Sequence, residues 1–158
     1  MKIILGVDPG SKITGYGFLE LYKNEINYLF SGYIFLKDKN FFKRLNIIYK
    51  EMKLIIKKYN PNYFAIEKIF VGKNMDSAIK LSHARSAAIL ALNNFNIPIY
   101  EYTFSQVKKC LLKIDNNNTN IKNIILNRLK INNNNFKEDV FDALAIAITN
   151  FYDIKNFI

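Results

Sequence analysis

Four acids stand where a fold could present them to one another: Asp8, Glu67, Asp139 and Asp142. Asp8 closes the apolar run KIILGVD and Glu67 closes NYFAIE. Both would therefore lie at the carboxyl ends of buried strands, the sheet edge at which ligands gather in α/β folds. Asp139 and Asp142 are three residues apart in a segment of helical periodicity. That spacing sets them on one face, near a helix N-terminus whose field favours negative charge. Taken singly, a strand-end acid reads as a solvated terminator, and the helical pair reads as capping plus surface charge. Taken together they are harder to dismiss, because the chain has 13 acidic side chains against 23 basic ones and clustered carboxylates repel unless a cation offsets them. Oxygen-only ligands suit Mg2+ or Mn2+, whereas one histidine and one cysteine argue against a zinc site. Two such ions about 4 Å apart can activate a water, orient a scissile phosphate and stabilise a leaving oxygen. The chemistry expected of the four acids is thus metal-dependent hydrolysis of a nucleic-acid backbone. Glu138 borders the pair, but one residue turns a helical side chain by about 100°, and it is left out of the set.

The elements that must position these acids are legible from pattern. Residues 2–8 read as a central strand stopped by Pro9 and Gly10. Residues 14–21 and 27–36, joined across KNE, read as two antiparallel strands that complete a meander. From 40 to 60 the apolar residues Phe41, Leu45, Ile48, Met52, Ile55 and Ile56 recur at helical spacing up to Pro61. A strand over 62–67 follows, then an Ala- and Ser-rich helix over 74–94, and a short strand over 97–101. The small side chains of that helix permit close approach of another helix or a second subunit, or simply close packing on its own sheet. Helical patterns return over 104–113, 119–131 and 137–153, separated by the Asn-rich stretches KIDNNN and INNNN, with Val140, Leu144, Ala147 and Ile148 of the last facing the core. The order β-β-β-α-β-α-β-α-α-α describes an α/β layered fold, a mixed five-stranded sheet flanked by helices. At 158 residues, with no repeat or linker, residues 1–158 are expected to form a single domain.

Half of the residues are hydrophobic and 15% aromatic, enough to build a core. The formal charge of +10 favours a polyanionic partner, either nucleic acid or an anionic membrane surface, although a general lysine bias would raise it too. The apolar run at the start is too short for a signal peptide or a membrane span. Cys110 has no partner for an internal disulfide and reads as a small buried hydrophobe. A cytoplasmic protein with no membrane association is expected. The glycines at 10, 15 and 17 lack a GK[ST] ending, so no nucleotide-hydrolysing phosphate loop is expected.

ILGVDPGSKITGYG at 4–17, YFAIEKIFVGKNMDSAIKLSHAR at 63–85 and EDVFDALAIAIT at 138–149 resemble, in order and over nearly the whole length, the bacterial RuvC family of Holliday-junction resolvases. The resemblance implies a ribonuclease-H-like fold, a homodimer, paired cuts in the like strands of a four-way DNA junction, and an external branch-migration motor as partner. It also implies that Asp8, Glu67, Asp139 and Asp142 are the catalytic, metal-holding acids, and that cleavage leaves a 5′-phosphate and a 3′-hydroxyl. Phe70 reads either as a core residue or as an exposed platform for an unpaired base, and the resemblance favours stacking. Lys73 and Asn74 follow, able to hold a phosphate or, for Asn74, to cap the next helix. His83 reads as structural. Lys108 matches the basic residue of the family's QVK motif, which approaches the active-site phosphate, and Lys109, Lys113 and Lys122 extend a basic tract that either tracks DNA or is a solvated face. KIDNNNTNIK departs from the family: Lys113 and Asp115 replace turn glycines, and Thr119 stands where a lysine is expected. Lys113, Lys122 or the altered loop is the expected compensation. Two rival functions fit the same residues, a junction-binding protein with impaired catalysis and another ribonuclease-H-like nuclease.

Overall fold

The computed structural model describes residues 1–70, 74–132 and 135–156. Its elements are β1 (Lys2–Asp8), β2 (Ile13–Tyr22), β3 (Glu25–Phe35), α1 (Phe41–Tyr59), β4 (Tyr63–Glu67), α2 (Met75–Leu90), β5 (Ile99–Tyr102), α3 (Phe104–Ile114), α4 (Ile121–Leu129) and α5 (Glu138–Asn156). The strands form one sheet in the order β3-β2-β1-β4-β5. The first three are antiparallel, while β4 runs parallel to both β1 and β5. This is the mixed five-stranded sheet expected from the pattern. Lys23 and Asn24, both at positive φ (46° and 67°), make the two-residue turn between β2 and β3, a conformation whose twist suits a hairpin.

β1 is apolar throughout because both of its faces are covered. Ile4 points into a cluster with α3, α4 and α5, whereas Leu5 and Val7 point into the opposite cluster with α1 and α2. Val140, Leu144, Ala147 and Ile148 are all buried on the α5 side, as their spacing predicts. Helix α1 runs between Asn40, whose side chain accepts from two first-turn amides, and Asn60, which closes it in the left-handed region at φ 43°. Helix α2 is shorter than its periodicity suggests, ending at Leu90 instead of 94. The amides of Leu92 and Asn93 bond three residues back, to Ile89 and Leu90, and Asn94 and Asn96 then take positive φ, which turns the chain toward β5. Cys110 is only half-buried, not enclosed as its apolar neighbours suggested. Among the described residues, no helix is long and apolar enough to cross a membrane.

Helix α5 lies directly on β1 and β2, and glycines make this possible. A Cβ on Gly6 would strike the carbonyl oxygen of Ala143, and one on Gly15 would fall on the carbonyl oxygen of Asp139. Backbone cannot yield there, so Gly15→Ala is expected to destabilise the protein by about 3 kcal/mol, the upper part of the usual overpacking range. Gly32 provides the contrast, since an added Cβ meets the hydroxyl end of Tyr16, a side chain that can rotate away. Gly32→Ala should lose less than about 1 kcal/mol. Urea unfolding of both variants checks the pair, and equal losses would show that the α5 contact is not the constraint inferred.

Candidate active site

Parallel pairing of β1 with β4 sets Val7 opposite Ile66, so the next residues, Asp8 and Glu67, emerge side by side from the same sheet edge. Antiparallel pairing sets Gly15 of β2 against Asp8 on its other side. Because the backbone of Asp139 rests on Gly15, the first acid of α5 is delivered next to Asp8. Asp142, one helical turn on, lines a cleft with Glu67. The four acids foreseen from the sequence are therefore brought together by three elements.

Short supports fix the strand ends. The hydroxyl of the fully buried Thr14 donates to the Gly10 carbonyl (3.2 Å) and accepts from the Gly10 amide (3.3 Å), closing the loop that follows Asp8. Arg44 of α1 donates from Nη1 to the Ser11 carbonyl at 2.8 Å and braces the same loop. Arg85 of α2 donates from Nε to the carbonyl of Glu67 at 3.1 Å and ion-pairs with Glu101 of β5. Glu67 thus leaves a strand end tied to a helix and to the next strand.

The acids disturb one another strongly. Burial, then the charges of Glu67, Asp142 and Asp139, push Asp8 up to about 8. Burial also raises Glu67, partly opposed by its hydrogen bond with Asp8. Asp142 is raised to about 6 by burial and by the charges of Glu67, Glu138 and Asp139, with Lys122 pulling the other way. Asp8 and Glu67 are thus both held above the usual carboxylate range, burial being the first cause for each. Among the described residues, no three acid, histidine or cysteine side chains are drawn close enough to grip one ion as they stand. The donor set nevertheless fits a hard divalent cation. It is all oxygen, and it carries mutual repulsion that a cation removes.

The basic residues divide. Lys108 lines the cleft with Glu67 and Asp142. Lys122 ion-pairs with Glu138, lies 5.5 Å from the centroid of the Phe141 ring, and acts on Asp142. Lys109 and Lys113 are not brought to the acids; they line a separate groove with Tyr102, Cys110 and Asp153. That groove, at about 470 Å3, is larger than the cleft at about 60 Å3, but volume is a poor guide to a site for a polymer bound on an open surface. Phe70 is 86% exposed, which removes the core reading. Asn74 takes its capping role, its Oδ1 accepting from the Ser77 amide at 3.0 Å. Lys73 lies outside the described residues. His83 is exposed on α2, against Phe41 and away from the acids.

Residues 4–150 match the family model described as crossover junction endodeoxyribonuclease RuvC. The RuvC protein of Baumannia cicadellinicola subsp. Homalodisca coagulata is 45% identical over 157 residues, 99% of this chain and 90% of the relative. That of Wigglesworthia glossinidia brevipalpis is also 45% identical over 157 residues, 99% of this chain and 97% of the relative. The chain belongs to the RuvC family. Its fold is shared with the solved structure of T. thermophilus RuvC in complex with Holliday junction substrate, at a TM-score of 0.85 and 22% identity over 98% of this chain and 96% of that one.

Within the RuvC motifs the structure separates ligand candidates from supports. Gly15, Thr14, Arg44 and Arg85 were not singled out for the site from sequence, although the TGYG and HAR segments contain three of them. The available signal was a glycine alternating with a strand's apolar face, which marks a close backbone approach.

The acid cluster also sets a pH dependence. A carboxyl raised in the folded state contributes stability that is present at low pH and lost as pH rises through its folded value. In EDTA, raising pH from about 5 to about 9 should destabilise the native chain relative to Asp8→Asn by on the order of 1 to 3 kcal/mol. Added Mg2+ should then restore the native chain and leave the variant largely unmoved. Urea unfolding at both pH values measures this, and a pH-independent difference would refute the shared site.

Proposed function

We propose that this chain is a structure-selective endonuclease that makes paired, metal-dependent cuts in four-way DNA junctions during recombination and repair. The observation that carries the reading is the convergence of Asp8, Glu67, Asp139 and Asp142 on one sheet edge beside Lys108 and Lys122, in a member of this family.

The four carboxylates hold Mg2+, or Mn2+ in its place, with two ions per site in this reading. Bound there, the cations supply activation of water and stabilisation of charge on the scissile phosphate. The chain's own residues do the rest. Asp8 and Glu67 present their carboxylates from adjacent strand ends. Asp139 and Asp142 face them from α5, held at a fixed height by Gly15. The Lys108 ammonium, on the cleft wall, opposes negative charge that develops on the phosphate. Lys122, shared between Glu138 and Asp142, keeps Asp142 toward its charged form. A water oxygen would bond to the phosphorus as its bond to the sugar 3′ oxygen breaks, the water losing a proton and the 3′ oxygen gaining one, which leaves a 5′-phosphate and a 3′-hydroxyl.

Phe70 reaches into solvent three residues beyond Glu67, where it stacks on an unpaired base. Lys73 and Asn74, next in sequence, contact the DNA backbone in this reading, while Lys109 and Lys113 hold DNA further from the cut. Residues 1–158 act as one domain in the cytoplasm, and two copies form the working unit. Met75 (66% exposed) and Ile79 (50%) lie one turn apart on α2, with Leu90 (62%) at its far end, and these exposed apolar groups support the helix as part of a two-fold interface. A homodimer presents two equivalent sites to two equivalent strands, and a branch-migration motor positions the junction.

Cleavage of an end-labelled four-way junction and a matched linear duplex, with Mg2+ or EDTA, tests the reading. Paired cuts confined to the junction, abolished by EDTA, are expected. Asp8→Asn should slow them roughly a thousandfold or more, corresponding to several kcal/mol of lost charge stabilisation, while junction binding persists. Binding without cuts would instead establish the impaired junction-binding protein, and equal cutting of the linear duplex a less specialised nuclease. Lys122→Ala should lower single-turnover cleavage by about 10- to 100-fold, below the effect of losing an acid and near that of one lost charge-stabilising donor. Lys113→Ala should lower it far less, and the reverse ranking would give Lys113 the compensating role.

A further inference from the structure

We infer that Phe104 is a second aromatic platform in this site, stacking on the base of a nucleotide that flanks the scissile phosphate; this rests on the nuclease reading above. The register of β4 with β5 pairs Glu67 with Tyr102, so the chain reaches Phe104 two residues beyond the strand position that faces the acid. There the ring is 65% exposed and lines the cleft that contains Glu67, Asp142 and Lys108.

Nothing in the fold requires an aromatic at this point. The first turn of α3 is secured by Thr103 and Gln106, whose side chains cap each other's backbone amides. Phe104 makes no ring-ring or cation-π contact among the described residues. Its neighbours in the cleft are of two kinds. Lys108, one turn further along α3, and the two acids serve the phosphate and its cations. Val107, Leu111 and Ile146 form an apolar floor. A phosphodiester placed against the charged group necessarily brings a neighbouring nucleotide to the apolar wall, and a base can cover Phe104 there through its π-face. The capped helix turn holds the ring in place beforehand, so little ordering is lost on binding. Phe70 does not duplicate this contact, because it follows Glu67 on the neighbouring strand, at the same sheet edge, and sits outside the cleft lining.

The test is a cycle on the protein and the DNA. Single-turnover cleavage is measured for the native chain, Phe104→Ala, Phe104→Leu and Phe104→Tyr on a four-way junction, and on junctions with an abasic residue at either nucleotide flanking the cut. Phe104→Ala and Phe104→Leu should slow cleavage of the intact junction about tenfold, Phe104→Tyr should retain it, and all four should unfold at the same temperature because the ring is exposed. On one abasic junction the native chain should fall to the rate of Phe104→Ala, with no further loss in that variant. Native-like cutting by Phe104→Ala, full rescue by Phe104→Leu, or a loss that persists on both abasic junctions would each overturn the stacking. In those cases the native chain still cuts and the nuclease reading survives. A native chain that leaves the intact junction uncut with Mg2+ would remove both.

Discussion

The approach of α5 to the glycines of β1 and β2 fixes where the acids can be. A helix packed on a sheet through ordinary side chains stands about 10 Å away, a spacing comparable to that between stacked sheets. At Gly6 and Gly15 the backbones of α5 and the sheet instead touch. The acids of α5 consequently sit level with the strand-end acids, not one side-chain layer above them. The register of β1 and β2 then does the fine positioning, since Gly15 is the residue paired with Asp8. The same contact explains why α5 is so thoroughly buried past Asp142, from Ala143 to Asn150. A helix lying this deep against a sheet has no solvent-facing stripe to spare over that stretch.

Depth has an electrostatic consequence. Carboxylates that share a half-buried edge repel more strongly than surface ones, because less water screens them. Burial raises Asp8, Glu67 and Asp142, and like charge raises Asp8 and Asp142 further. The fold tolerates the arrangement because supports are numerous and local. Thr14 clamps the loop after Asp8, Arg44 holds its far side, and Arg85 ties the end of β4 to β5. Such an edge loses stability in exchange for affinity toward cations, which is the usual direction of compromise at functional sites.

Much of this was legible in the sequence because strands and helices announce themselves by period. All ten elements, their order and the strand-terminal positions of Asp8 and Glu67 followed from apolar runs bounded by Pro, Gly and Asn. The spacing of Asp139 and Asp142 placed them on one helix, while Glu138, left out of the set, pairs with Lys122 and still acts through its charge on Asp142. What pattern could not supply was distance across the fold. Lys109 follows Lys108 directly, yet a one-residue step on α3 turns it into the outer groove. Lys113 is carried to the same groove. The end of α2 was misjudged because the residues from 91 to 94 continue a helical composition, and the turn is made by Asn94 and Asn96 in conformations that only the backbone reveals. Phe104 carried no pattern signal at all, since an aromatic at a helix start reads as core until its exposure is seen.

The altered segment between α3 and α4 is where local sequence and site chemistry meet. Lys113 falls in the last turn of α3, Asp115 closes that helix, and Thr119 in the connection that follows offers no charge. Yet α4 still begins with a well-made cap, Asn120 accepting from the amides of Lys122 and Asn123. That cap sets the rotation of the first turn, and the rotation directs Ile121 into the cleft floor and Lys122 toward Glu138 and Asp142. A positive charge is thus brought to the acids from the first turn of α4. An ammonium on a long, flexible stem needs only approximate placement to act as a point charge. The four carboxylates have no such latitude, because short stems hold them at two strand ends and on one helix.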